Sequence, residues 1–317
     1  MELAAAPYLS DITDGPEGAA AYWARTDDGL RIRVGVFPAR AARGTLLMFP
    51  GRTEYIEKYA LEAADWAARG YAGLAIDWRG QGLADRLLPD ARLGHVDRFP
   101  DYQRDVAAAM RVARALGLPE PFHLLGHSLG GAIALRAAIE GLPVISATFS
   151  GPMWGIRMAP AMRLAARALT ALGRWTGQDL RLAPSRSIES YVATTRFEDN
   201  LLTTDLPMWQ MMQRQLAAHP ELGLGGPTLR WVGEAMRECD WLMRQPAPPL
   251  PALCFAGARE AIVDLPAMRE RMARWPDGDY REIPGALHEV LLESPGVRHR
   301  IAGEMADLFS RAEAAAG

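Results

Sequence analysis

The chain has 317 residues, of which 49% are hydrophobic and 23% are charged, and its formal net charge is −3 at pH 7. This length and composition suit one large α/β domain with an insertion, or two ordinary domains. No nucleic acid partner is expected, because the phosphate backbone demands clustered positive charge.

The sequence contains few features that indicate a cellular compartment. The amino-terminal "MELAAAPYLSDITDGPEG" has no basic stretch followed by an apolar core, and no apolar run is long enough to span a bilayer. The two cysteines, Cys239 and Cys254, lack the spacing of metal ligands, so we expect free buried thiols in a reducing compartment. We predict a soluble, cytoplasmic protein and leave open peripheral contact with a membrane.

The first half of the chain alternates strand and helix patterns. "AAYWART" and "LRIRVGVFPA" flank a tight turn and predict an antiparallel hairpin at a sheet edge. "TLLMFPG" predicts a buried strand, helical spacing follows from Ile56 to Trp66, and "YAGLAIDWRGQG" predicts the next strand. A second helical pattern runs from Tyr102 to Leu116. This alternation predicts an α/β fold, with a mostly parallel sheet and helices on both faces.

The stretch "HLLGHSLGGAIALRAA" carries the strongest chemical signal. It places Ser128 between an apolar strand pattern and an alanine-rich helix pattern, with Gly126, Gly130 and Gly131 where the backbones must nearly touch. This is a G-x-S-x-G elbow, which would present the Ser128 hydroxyl at the amino end of a helix. The alternative is a glycine-rich helix start with a serine cap.

A serine nucleophile needs a base, and the base needs an acid to orient it. In an elbow fold the chain order is serine, acid, histidine. His288 follows a predicted strand in "IPGALHEVLLE", whereas His299 falls in the terminal helix, so we predict His288 as the base. For the acid, Glu260 and Asp264 both follow the strand "ALCFAG"; we favour Glu260, which comes sooner, and Asp264 stays an alternative.

Negative charge that develops on the substrate oxygen requires backbone donors. We predict the N–H of Leu129, directly after the serine, and the N–H of Arg52, in the loop after "LLMFPG". The set of catalytic and oxyanion residues calls for no metal and no organic cofactor.

Residues from about 152 to 245 form long helical patterns without a central strand, ending at "QPAPPLP". We therefore predict a helical cap at 152–245, inserted between two parts of the core at 1–151 and 246–317. Eight of the 14 methionines and five of the nine tryptophans lie in this segment, which suits an adaptable apolar lining, although helix-core packing explains part of the bias. The residues that we predict for an acyl-chain wall are Trp154, Met208, Met211 and Met212.

The cap segment also contains an amphipathic stretch, "APAMRLAARALTALGRW". Methionine and leucine line one face, and Arg163, Arg167 and Arg174 line the other. Those arginines could contact anionic lipid, which would bring the cap to a membrane, or they could simply face solvent.

The chain resembles serine hydrolases of the α/β-hydrolase superfamily, in the branch of monoacylglycerol lipases and bacterial lysophospholipases. The matching segments are "FPGRTEYIEKY", "IDWRGQGLADR", "GHVDRFPDYQRD", "GHSLGG", "GAREAIVD" and "GALHE". Many relatives have His-Gly where this chain has Pro50–Gly51, and many have Asp where it has Glu260.

The resemblance implies the α/β-hydrolase fold, Ser128 as nucleophile, Glu260 as acid, His288 as base, and oxyanion amides at Arg52 and Leu129. It also implies hydrolysis of a carboxylic ester, with a lysophospholipid or monoacylglycerol as substrate. The same three catalytic groups would serve an amidase, a thioesterase or an acyltransferase. A non-catalytic scaffold that binds a ligand is the alternative from another class.

Overall fold

The computed structural model describes residues 3–184 and 186–316. Within these residues one sheet of nine strands runs in the order β1-β2-β3-β5-β4-β6-β7-β8-β9. The strands are β1 (Ala4–Ala6), β2 (Ala20–Arg25), β3 (Arg31–Phe37), β4 (Gly44–Phe49), β5 (Tyr71–Asp77), β6 (Phe122–His127), β7 (Ser146–Ser150), β8 (Ala252–Gly257) and β9 (Gly278–Ile283). Strands β5, β4, β6, β7, β8 and β9 pair in parallel.

The α-helices lie between and after these strands. They are α1 (Ala60–Ala68), α2 (Tyr102–Ala115), α3 (Leu129–Ile139), α4 (Pro160–Thr176), α5 (Tyr191–Thr194), α6 (Leu206–Ala218), α7 (Leu229–Arg244), α8 (Leu265–Ala273) and α9 (Pro295–Ala316). In the two described ranges, no helix is both long and apolar enough to cross a membrane.

The predicted hairpin forms as β2 and β3, but it is not the edge of the sheet. Strand β1 pairs antiparallel with β2 and extends the sheet by one strand. Its sequence is three alanines, which offer no alternation of polar and apolar residues, so the pattern could not reveal it.

Apolar residues cover both faces of the sheet. One core cluster joins residues of α2, α3, α7 and α8 to the sheet, and a second joins residues of α1 and α9 to the opposite face. The prediction of a mostly parallel sheet with helices on both faces is therefore confirmed.

Helices α4 to α7 occupy the stretch between β7 and β8. Helix α7 packs against α3 of the core and against α4. Helix α6 belongs to a third apolar cluster, which includes Tyr55 from the loop after β4, Trp209 and Leu292. This stretch therefore packs against the loops at the carboxyl ends of the parallel strands.

Candidate active site

The turn between β6 and α3 holds Ser128 in an unusual backbone conformation. Its φ is 50° and its ψ is −116°, a left-handed region that non-glycine residues rarely adopt. The neighbouring glycines allow the close approach that this turn requires. A Cβ on Gly130 would lie 1.9 Å from the carbonyl oxygen of Phe49, and one on Gly131 would lie 2.5 Å from the Cβ of Pro152.

His288 and Glu260 come to this turn from the loops after β9 and β8. The Nε2 of His288 lies 2.9 Å from the Oγ of Ser128, and its Nδ1 lies 2.6 Å from an Oε2 oxygen of Glu260. His288 and Glu260 are buried, whereas Ser128 is partly exposed. The chain thus joins a carboxylate, an imidazole and a hydroxyl in one hydrogen-bonded line that ends at the partly exposed Ser128.

The carboxylate of Glu260 is held by the backbone as well as by His288. Its Oε1 accepts from the N–H of Ile262 at 2.7 Å and from that of Val263 at 3.2 Å. Asp264 has a different position: it caps α8, accepting from the N–H of Ala267 at 3.4 Å, and pairs with Arg163 at 3.0 Å. Of the two carboxylates that the sequence left open, the structure brings Glu260 to His288.

The charges in this line are set by opposing effects. Burial lowers the pKa of His288, but the hydrogen bond and charge of Glu260, with smaller contributions from Glu289 and Glu54, outweigh it and raise that pKa above its usual value. Burial likewise raises the pKa of Glu260, yet His288 and the two backbone donors hold it below its usual value. The pair is arranged to stabilise an imidazolium beside a carboxylate.

Two backbone N–H groups in or beside the serine turn have no acceptor in the part of the chain that the structure describes. Leu129 is the first residue of α3, so its N–H has no partner within the helix. The N–H of Arg52 likewise donates to no acceptor in residues 3–184 and 186–316. The loop that carries Arg52 touches the turn, since a Cβ on Gly51 would lie 3.0 Å from the His127 ring.

Behind the serine turn lies a buried cluster that the sequence analysis missed. The ammonium of Lys58 contacts a carboxylate oxygen of Glu54 and one of Glu289, each at 2.6 Å. Glu54 also accepts from the backbone N–H of Gly51 and from the hydroxyl of Tyr59. The cluster therefore links the loop that carries Gly51 and Arg52 to the residue that follows His288.

Part of this cluster could have been found in the sequence. Glu54 and Lys58 stand four residues apart, a spacing that predicts an ion pair on a helical turn. Glu289 gave no local signal, because 231 positions separate it from Lys58.

The cluster also contains donor atoms that could approach a metal ion. One ligand atom each from Glu54, His127 and Glu289 lies within 4.8 Å of the others. However, the ammonium of Lys58 already contacts both carboxylates, and its positive charge opposes a cation at this point. The residues present fit an internal ion pair better than a metal site.

The residues predicted for an acyl wall fall in two places. Met212 is buried in the third apolar cluster, and Met208 and Met211 pack against it. Trp154 lies instead in the main core, where it packs on Phe149 with ring centroids 4.8 Å apart and donates to the carbonyl of Gly131. Trp154 is fully buried, so packing against the core sheet accounts for its position.

Comparisons with known proteins agree with this fold. The profile of the Hydrolase_4 family, described as serine aminopeptidase, S33, matches residues 40–295. Among solved structures, a monoglyceride lipase from Saccharomyces cerevisiae superposes with a TM-score of 0.71 and 20% identity, covering 97% of this chain and 99% of that one. A monoacylglycerol lipase from Paleococcus ferrophilus gives a TM-score of 0.67 and 18% identity over 88% of this chain and 98% of its own.

Curated relatives are similar over most of their length. Lysophospholipase L2 from Escherichia coli K12 is 30% identical over 92% of this chain and 87% of its own. A probable lysophospholipase L2 from Haemophilus influenzae is 30% identical over 83% of both chains. The chain therefore belongs to the Hydrolase_4 family and has the α/β-hydrolase fold of that family's lipases and esterases.

Proposed function

We propose that the protein is a serine hydrolase that cleaves carboxylic esters of single-chain lipids through an acyl-enzyme on Ser128. The observation that carries this proposal is the continuous line from Ser128 Oγ through His288 to Glu260, with contacts of 2.9 Å and 2.6 Å. The curated relatives make the enzyme a carboxylic ester hydrolase, and their lysophospholipase names favour a lysophospholipid over other esters.

The geometry supports a two-step acyl transfer. His288 accepts the proton of Ser128 as Oγ attacks the ester carbonyl, and the N–H groups of Arg52 and Leu129 bind the resulting oxyanion. His288 then donates that proton to the leaving alcohol. A water molecule, deprotonated by His288 in turn, attacks the acyl-enzyme and releases the fatty acid. Glu260 stays ionised throughout and stabilises the imidazolium.

We infer that the acyl chain lies against α6. The hydroxyl of Tyr55, three residues after Arg52 in the oxyanion loop, donates to the side chain of Gln215 on α6 at 2.8 Å, so this helix adjoins the site. Met208, Met211 and Met212 occupy the same region. Flexible methionine side chains adapt to chains of different length, which suits a lipid tail.

We also propose that residues 152–245 act as a cap and that its helix α4 contacts a membrane surface. The backbone of Leu201 and Leu202 in this segment accepts from the N–H groups of His288 and Glu289, at 3.3 Å and 2.7 Å. Three large apolar side chains on one face of α4 are exposed: Leu164 is 71%, Leu172 53% and Trp175 84% exposed. Such a helix face fits the apolar boundary of a bilayer.

The arginines of α4 take no part in this membrane proposal. Arg163, Arg167 and Arg174 each pair with an acidic residue, namely Asp264, Asp240 and Glu234. Their charges are therefore balanced by the protein, which favours a solvent-facing surface over contact with anionic lipid. We place the protein in the cytoplasm, with support from the two free and buried cysteines.

The test is a substrate panel on one preparation: p-nitrophenyl esters, thioesters and anilides, together with a lysophospholipid and a monoacylglycerol of equal chain length. We expect ester turnover with preference for the lipids, and loss of at least about 10⁴-fold in Ser128→Ala. Faster turnover of anilides would favour the amidase alternative, which the family description as an aminopeptidase raises. If the folded protein turned over none of these substrates, the result would favour the alternative of a non-catalytic scaffold that binds a ligand.

A variant of the exposed apolar face of α4 tests the proposed contact with a membrane. Replacing Leu164, Leu172 and Trp175 together by Gln should weaken binding to lipid vesicles and slow turnover of vesicle-embedded substrate. Leu116→Gln, at an exposed leucine after α2, is the matched control and should change neither. Equal vesicle binding by both variants would refute membrane contact through α4.

A further inference from the structure

The guanidinium of Arg52, in the loop after β4, has no acidic partner among the residues that the structure describes. Its one hydrogen bond within the described residues runs from Nη1 to the carbonyl oxygen of Gly225, at 2.7 Å. The guanidinium carbon lies 5.7 Å from the centre of the Trp231 ring. No carboxylate of residues 3–184 or 186–316 lies within 4.0 Å of it, and the residue is partly exposed.

This arrangement differs from that of the four buried arginines in the part of the chain that the structure describes. Arg33, Arg79 and Arg136 each pair with at least one carboxylate, which is the common way to hold a charge away from water. Arg271 lacks a carboxylate but donates to three backbone carbonyls. Arg52 has one carbonyl only, so most of its five N–H groups are left for another acceptor.

The surroundings of Arg52 add positive charge to it. Burial is the main cause that lowers its pKa, to about 10, and the nearby charge of Arg186 lowers it further. The guanidinium remains charged at neutral pH, and its charge and that of Arg186 together attract an anion. An incoming anion would relieve the repulsion between them.

Building on the proposed function, we propose that Arg52 binds the headgroup phosphate of a lysophospholipid whose ester carbonyl lies at Ser128. The backbone of the same residue is an oxyanion donor, so phosphate and carbonyl are held by one short segment. In a lysophospholipid only the glycerol carbons separate the ester from the phosphate, which matches the reach of one arginine side chain. A guanidinium presents paired N–H groups in the geometry of two phosphate oxygens.

Acyl chain and headgroup then occupy different walls of the site. The apolar methionines of α6 lie with Tyr55, whereas the Arg52 guanidinium lies at Gly94, Gly225 and the start of α7. A monoacylglycerol would fill the first wall equally but leave Arg52 without an anion. Arg52 would therefore distinguish the two lipid classes that the curated relatives and structural neighbours act on.

The experiment compares hexanoyl lysophosphatidylcholine with hexanoyl monoacylglycerol, because such short chains stay dissolved as monomers. In Arg52→Gln the ratio of kcat/KM for the phospholipid to that for the glyceride should fall roughly tenfold or more. Arg52→Lys, which keeps the charge but loses the paired donors, should give an intermediate ratio. Arg167→Gln, at an exposed arginine of α4, should leave the ratio as in the wild type.

A second readout uses a headgroup fragment without an ester. Glycerol 3-phosphate should inhibit hydrolysis of the monoacylglycerol by wild-type protein, with an inhibition constant roughly tenfold higher for Arg52→Gln. Unchanged ratios and inhibition constants in both Arg52 variants would overturn the phosphate site and leave the esterase proposal intact. Failure of the wild type to cleave either lipid would instead overturn the proposed function.

Discussion

Glu260→Gln tests which carboxylate acts on His288. The substitution keeps the shape of the side chain but replaces the oxygen that lies 2.6 Å from Nδ1 with a group that cannot stabilise an imidazolium. It also removes the main contribution that raises the pKa of His288. We expect kcat for a p-nitrophenyl ester to fall about 10⁴-fold, the scale known for loss of a triad acid, while the fold is kept.

Asp264→Ala is the matched comparison. We expect this substitution to reduce stability and to leave kcat almost unchanged. Asp264 caps α8 and pairs with the half-exposed Arg163, so its loss should reduce the free energy of unfolding by about 1–2 kcal/mol. Its kcat should stay within a few-fold of the wild type. The assays are steady-state kinetics and urea unfolding on both variants. A larger loss of kcat in Asp264→Ala than in Glu260→Gln would refute the assignment of the acid.

Three further predictions follow from the site. Lys58→Met leaves two buried carboxylates without their cation, and urea unfolding should show a loss of about 3–5 kcal/mol; a loss below about 1 kcal/mol would contradict the cluster's role. Glu289→Gln removes a negative charge that raises the pKa of His288, so the acidic limb of the pH profile of kcat/KM should move to lower pH. A move to higher pH would contradict this effect of Glu289 on His288. Met212→Ala should lower the decanoyl-to-acetyl ratio of kcat/KM roughly tenfold, whereas the buried core control Met272→Ala should not; equal ratios would remove α6 as the acyl wall.

Local sequence patterns were enough to predict the sheet core and the serine turn. The turn depends on contacts between close neighbours: Gly126, Gly130 and Gly131 stand within three residues of Ser128. Parallel strands then bring their carboxyl ends to one edge, so residues that follow successive strands can be expected together. On this basis the sequence alone predicts His288 and Glu260 beside Ser128.

Contacts between residues that are far apart in the sequence could not be predicted in the same way. Asp264 follows the same strand as Glu260, and chain distance alone does not reveal that it caps α8. The position of Trp154 after β7 predicts a place in the acyl-chain wall, but its ring packs in the core against Phe149. The link from Lys58 to Glu289 joins parts of the chain that share no pattern.

The most direct test of the account is to identify the residue that carries the covalent intermediate. Wild-type protein, Ser128→Ala and His288→Ala are treated with a fluorophosphonate and examined by intact-protein and peptide mass spectrometry. We expect one adduct on the wild type, located on Ser128, none on Ser128→Ala, and labelling slowed by orders of magnitude in His288→Ala. An adduct on another residue, or a folded wild type that is not labelled, would contradict the claim that Ser128 is the nucleophile.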